Sequence, residues 1–270
     1  MAELTTSLHL YRVLAVAKVR ADWQYRSQFV LYTTTQLLIT FLDFLQIAVI
    51  FGSVDSLAGW SLLEVVFLYA TSGVAFYLGD AFISQVERVG SYIKAGTFDA
   101  LLIRPAGTLL QICATDFAFR RLGKLLQASI VLVIVLARLD IEWTPGRLIV
   151  FALLIPSGTV IFSSIWVIGA SITFWTVDSG ELANTFTYGG NFATQYPLDI
   201  LGTWLRRFLT LVVPTAFVNY FPALYILDKP DPFGAPGWAR FISPLVALAI
   251  ALAARAAWTG AVRHYRSTGS

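Results

Sequence analysis

Residues 147–175 read RLIVFALLIPSGTVIFSSIWVIGASITFW, and their single charge, Arg147, stands at the very start. About 20 apolar residues in a helix cross a hydrocarbon layer, so this stretch can span one. Pro156 interrupts the run without forbidding it, because neighbouring helices re-satisfy the backbone groups a proline frees inside a membrane. The same character extends over the whole chain of 270 residues, which is 57% hydrophobic and 13% charged with a mean hydropathy of +0.71. A soluble domain is nearer half apolar and a quarter charged. One water-soluble core cannot hide that surplus. The expected fold is an all-α polytopic membrane protein.

Working outward from that stretch gives the other spans. Upstream, Ser27–Phe51 and Ser61–Phe82 read as the first two, joined by Gly52–Gly59, a loop without a basic residue. A third helix begins near Leu109 and crosses over Leu122–Leu139; the turn Asp140–Gly146 then leads into the fourth span. Downstream the last span is expected over Ala239–Val262, followed by Arg263, His264 and Arg266. Basic residues mark cytoplasmic loops. They cluster in Gln85–Arg104 and after the last span, so those segments and both termini are expected in the cytoplasm, with six crossings. Residues 1–26 read as an interfacial or cytosolic lead-in helix, with Trp23 and Tyr25 at headgroup level. Residues 27–262 then form the membrane domain and 263–270 a cytosolic tail.

Leu182–Leu227 admits two readings. Its first half (LANTFTYGGNFATQYPLDI) carries Asn184, Thr187, Tyr188, Asn191 and Gln195; its second (WLRRFLTLVVPTAFVNYFPALYIL) carries Arg206, Arg207, Pro214 and Pro222. Either the first half is a polar-faced fifth span and 198–227 a re-entrant pair of half-helices, or the first half is cytosolic and the second spans. Length favours the former; Arg206–Arg207 and the positive-inside rule favour the latter.

Several functions are excluded. One cysteine, Cys113, leaves no intrachain disulfide framework or cysteine-ligated zinc site. His9 and His264 lie at opposite ends of the sequence, and no metal site is expected. The net charge of +3 is topological, so no nucleic-acid partner is expected. Gly123-Lys124 is followed by Leu125 and lacks the upstream glycine of a phosphate-binding loop, so this chain is not expected to bind ATP in that manner or to be an enzyme. Among the intramembrane polar groups, Asp43 in the first span is a candidate for the substrate route, since a carboxylate at that depth faces a partner or a water-filled cavity. Asn184, Thr187, Tyr188, Asn191 and Gln195 fall on one stripe of a helix and are candidates for the same route. Asp80, at the inner end of the second span, is expected to reach water. Ala249, Ala253, Ala256 and Gly260 form a small-residue stripe, expected to pack within the subunit.

The stretch Lys94-Ala95-Gly96-Thr97-Phe98-Asp99-Ala100-Leu101-Leu102-Ile103-Arg104-Pro105 reads as a short cytosolic helix that starts after Gly96 and stops at a proline. Its pattern K-x-G-x-F-D-x-L-L-x-R-P resembles the signature of the permease subunits of bacterial ABC exporters of the type-two group, which have six spans per chain. Phe174-Trp175 at the end of the fourth span, Tyr196-Pro197, and Pro214-Thr215-Ala216-Phe217 ahead of Tyr220-Phe221-Pro222 agree with it. The resemblance covers nearly the whole chain. It implies an inner-membrane permease that joins a second permease chain, identical or paralogous, and two separate ATPase subunits that bind ATP and magnesium. It also implies that short cytosolic segments, 84–106 and Val177–Glu181, receive the ATPase motion. The residues so implicated are Arg88, Lys94, Gly96, Phe98, Asp99, Leu102, Arg104, Pro105, Asp178 and Glu181. The resemblance favours the re-entrant reading of 198–227. A membrane scaffold without transport and an ion-coupled carrier are the rival classes.

Overall fold

The computed structural model describes residues 26–115, 122–176, 180–232 and 234–266. The lead-in helix expected before Arg26 lies outside them, as do Asp178 and the last four residues of the tail.

The described helices are α1 (Arg26–Ser53), α2 (Leu62–Ile83), α3 (Val89–Lys94), α4 (Asp99–Leu102), α5 (Thr108–Thr115), α6 (Leu122–Arg138), α7 (Pro145–Ile172), α8 (Gly180–Thr194), α9 (Thr203–Leu211), α10 (Tyr220–Ile226) and α11 (Ser243–His264). No β-strand occurs among the described residues. The protein is an all-α membrane protein. Three stretches are each long and apolar enough to cross a bilayer: Leu62–Lys94, Pro145–Ile172 and Ser243–His264. The bent pair α9–α10 would make a fourth if it acted as one span.

Helix α2 is the axle. It is apolar around its whole circumference, which suits a helix enclosed on every side, and Val65 to Phe76 are buried without a break. Its start is fixed by Ser61, whose backbone N–H donates to Glu64 Oε2 at 2.7 Å. The helix packs against α6 and α7. At Gly158 of α7 a Cβ would stand 3.0 Å from Ala75 of α2 and from Val218, so a bare backbone lets three segments meet there. Helix α7 begins at Thr144, which accepts from the Arg147 N–H at 3.3 Å, with Pro145 in the first turn. It runs unbroken through Pro156. The interruption expected at that proline is therefore absent, in keeping with the tolerance of membrane helices for freed backbone groups.

Helix α11 lies along α7, and two expectations about it are corrected. It begins at Ser243 after a 3-10 turn, Gly237–Arg240, rather than at Ala239. Its buried face is Ala247, Ala254, Trp258 and Ala261, whereas Ala249, Ala253, Ala256 and Gly260 are exposed. The indole of Trp258, which donates to Thr108 Oγ1 at 3.2 Å, sets the helix's rotation and turns the small-residue stripe away from the chain.

Helices α9 and α10 meet at 74°. At a rise of 1.5 Å per residue, α9 and α10 measure about 14 Å and 10 Å, and neither crosses a bilayer alone. The chain approaches this hairpin through a 3-10 turn, Leu198–Ile200. There Asp199 accepts from Trp60 Nε1 at 2.5 Å and from the Tyr220 hydroxyl at 2.7 Å. It leaves through Lys229, which donates to the Gly59 carbonyl at 2.8 Å and pairs with Glu64 at 2.9 Å. Both ends of the hairpin thus hold the same short stretch, Gly59–Glu64, at the start of α2.

Candidate functional site

Two regions bear on function, one beyond the C-terminal end of α2 and one alongside its middle. The first is the segment between α2 and α5. Gly96 takes φ +66°, a left-handed conformation glycine enters freely. This lets the backbone N–H groups of Thr97 and Phe98 both donate to the Tyr92 carbonyl, at 3.0 and 3.2 Å. The turn drives Phe98 into the protein, where its ring meets Phe174 at 5.2 Å and Tyr265 at 4.9 Å. Gln111 Nε2 holds the segment from behind, donating to the carbonyls of Leu101 at 2.9 Å and Ala106 at 2.6 Å. What remains outside is a tip. Leu102 is half-exposed, Ile103 is 85% exposed, and Arg104 and Pro105 follow, exposed. Arg88 and Lys94 are exposed nearby in sequence.

Phe98, expected as a partner contact, is fully buried and holds the tip from within through Phe174 and Tyr265. Asp99 stands beside the Tyr265 phenol. Burial first, then the negative charge of Asp99, hold that phenol above its ordinary value of 10.0. The Glu181 side chain lies outside the described residues.

The second region is α8. Its polar stripe does not face one way. Thr187, Asn191 and Thr194 are buried against α2, where Ser72 Oγ lies 3.1 Å from the Asn191 side-chain carbonyl and 2.5 Å from Thr194 Oγ1. Thr194 in turn donates to the Asn191 backbone carbonyl at 2.7 Å. Asn219, fully buried at the foot of α10, extends the seam by donating to the carbonyls of Leu68 at 2.9 Å and Thr194 at 2.8 Å. Thr187 and Asn191, expected along the route, are enclosed by the chain's own helices. Unpaired polar groups at membrane depth cost several kcal/mol, and these groups meet the requirement by bonding inside the chain.

The outward face of α8 is Thr185, Tyr188, Gly189 and Phe192. Beside it, between α8 and α9, lies an apolar cavity of about 370 Å³ whose walls include Phe186, Gly189, Phe192, Leu205 and Phe208. A Cβ on Gly189 would meet nothing within 4 Å. Of the remaining stripe, Asn184 and Gln195 are half-buried, and Asn184 Oδ1 is a buried acceptor without a partner. The Asp43 side chain lies outside the described residues. Asp80, expected to reach water, is buried, because the turn that follows α2 covers it. Among the described residues no group of His, Cys, Asp and Glu could hold a metal ion.

Sequence reasoning missed Ser72, Asn219, Asp199, Trp60 and Tyr220. Ser72 reads as a minor polar residue inside an apolar span, and the partners of Asn219 and Asp199 lie up to 151 residues away. No spacing rule reaches that far.

Apolar helices long enough to cross a bilayer, and polar groups satisfied within the bundle rather than by water, define a multi-pass membrane protein. A family model for the ABC-2 family transporter proteins matches residues 37–269, and the chain belongs to that family. Its role is accordingly that of a permease in an ABC transporter, a membrane component that associates with ABC ATPases. Neither the curated proteins nor the solved structures supply a match.

Proposed function

We propose that this chain is the permease half of an ATP-driven exporter, coupled to two separate ATPase subunits and paired with a second permease chain, identical or paralogous. ATP and magnesium belong to the ATPase partner. The observation that carries the reading is the tip Leu102–Ile103–Arg104. It is an apolar pair with an arginine, exposed at the end of a four-residue helix and just beyond it, and Phe98 and Gln111 pin that helix to the bundle. A partner that covers Leu102 and Ile103 would remove their apolar surface from water. Arg88, Lys94, Gly96, Asp99, Leu102, Arg104 and Pro105 belong to that contact, and Asp178 and Glu181 are proposed to join it.

In this reading the chain crosses the bacterial inner membrane six times, through α1, α2, α6, α7, α8 and α11. Both termini and the tip are cytoplasmic. The α9–α10 hairpin dips in from the outer side and returns, which accounts for the attachment of both its ends to Gly59–Glu64. The route runs along the outward face of α8, past Tyr188, Gly189 and Phe192, with Asn184 and Gln195 at its two ends, and Asp43 of α1 is proposed to serve the same route.

The test is isolation of a tagged chain from native membranes in mild detergent, followed by assay of magnesium-dependent ATP hydrolysis. An ATPase bearing a phosphate-binding loop is expected at equal stoichiometry, and Ile103→Asp is expected to lose it while leaving the permease yield unchanged. Isolation of the intact permease with no nucleotide-hydrolysing partner would contradict the reading and favour a scaffold.

A further inference from the structure

Trp166 of α7 is among the largest fully enclosed side chains of the described protein. Its indole N–H has one proton to place, and it donates it to Glu87 Oε1 at 2.6 Å. Glu87 does not belong to the helices that enclose the ring. It sits in the 3-10 turn Ser84–Arg88, the first part of the segment that ends in the exposed tip. A hydrogen bond from an indole to a carboxylate is charge-assisted, and such bonds are about twice as strong as neutral ones.

The ring has little slack. At Gly79 of α2 a Cβ would come within 3.3 Å of Trp166 Cζ3 and 3.1 Å of Ser163 Oγ. Its faces and edges meet Phe76 at 4.8 Å and Tyr188 at 6.2 Å, and Phe76 itself touches Tyr188 at 5.5 Å and Phe162 at 5.2 Å. Tyr188 is the half-exposed ring on the outward face of α8, next to Gly189. A closely packed interior passes displacement on rather than absorbing it. One continuous set of contacts therefore joins the turn after α2 to the outward face of α8.

We infer that the Glu87–Trp166 hydrogen bond is a strut through which the turn Ser84–Arg88 sets the position of Tyr188. Glu87 is a positioning residue. It reaches the outward face of α8 only through the indole. The inference rests on the reading of segment 84–106 as the receiver of ATPase motion and of the Tyr188 face as the route. A bond that merely satisfies a buried indole would hold the ring but would not make the face respond to nucleotide, and spatial adjacency alone does not separate the two.

The experiment uses the whole complex with its ATPase, in a Cys113→Ala background carrying Gly189→Cys as a reporter, since a side chain there meets open space. The rate of maleimide labelling is compared without nucleotide and with ATP plus vanadate. The parent is expected to change its rate between the two states. Glu87→Leu and Trp166→Phe are each expected to reduce that change by about fivefold, the low end of an ordinary coupling between sites. Glu87→Gln, which keeps an acceptor oxygen, is expected to retain it.

A nucleotide-dependent change in Glu87→Leu and Trp166→Phe equal to the parent's would overturn the strut. So would loss of complex yield in both variants, which would make the pair a folding contact. A parent whose labelling ignores nucleotide would overturn the underlying reading of the α8 face, and the strut with it.

Discussion

The two ends of α2 solve different problems. At the Trp60 end, polar and charged groups are spent on the chain itself. Asp199 accepts hydrogen bonds from Trp60 and Tyr220, Lys229 is held by Glu64 and Gly59, and Asn219 bonds two carbonyls. At the Phe98 end the chain uses one buried ring and one glutamine to hold a turn whose next residues face outward. The first end fastens a hairpin to its own bundle. The second presents a surface. In the proposed role, a permease driven by a partner needs both, and the contrast predicts that mutations will lower stability at one end and assembly at the other.

The sharpest way to break the contrast is Asp199→Ala. It strips the acceptor from two buried donors, the Trp60 indole and the Tyr220 hydroxyl, at about 1–3 kcal/mol for each group left unsatisfied. A loss of about 2–4 kcal/mol is expected in a chemical or thermal unfolding measurement in detergent, with Asp199→Asn retaining part of it. A neutral Asp199→Ala would remove the hairpin anchor from the account.

Asn219→Leu should cost less, about 1 kcal/mol, because interhelical hydrogen bonds in membranes average near that value or below. The same unfolding assay reads it. The loss should be shared with Ser72→Ala in a double-mutant cycle, since both residues meet at Thr194. Strict additivity would mean the seam is a set of separate contacts.

Smallest of all on stability is Ile103→Asp, within about 0.5 kcal/mol, as for surface changes away from special features. Its expected effect is entirely on recovery of the ATPase partner. An unfolding midpoint that falls with Ile103→Asp would place that side chain inside the fold and undo the distinction between the ends.

The helices were legible because apolar runs of membrane length need no partner to be recognised. Gly96 to Pro105 was legible too, since a glycine turn and a terminal proline bound a short helix. The orientation of α8 was not. Its stripe of Asn184, Thr187, Asn191 and Gln195 fixes a common face but not the neighbour it meets, and Ser72 gave no sign in a span read as uniformly apolar. The burial of Phe98 was not legible for a related reason, because a motif does not separate the side chains it turns outward from those it turns inward. The small-residue stripe of α11 pointed the wrong way because Trp258 and its bond to Thr108, remote in sequence, decide the helix's rotation. Arg206 and Arg207 stand on α9, one arm of the bent pair, where loop charge and segment length point to different topologies.

The central claim is that the hairpin returns to the side from which it came, opposite the tip. Single cysteines at Ile200, Asp228 and Ile103, each exposed, can be probed in a Cys113→Ala background with an impermeant thiol reagent in intact and opened cells. The account predicts that Ile200→Cys and Asp228→Cys react in intact cells and Ile103→Cys only after opening. Labelling of Ile200→Cys and Asp228→Cys from opposite sides would contradict it and make α9–α10 a broken span.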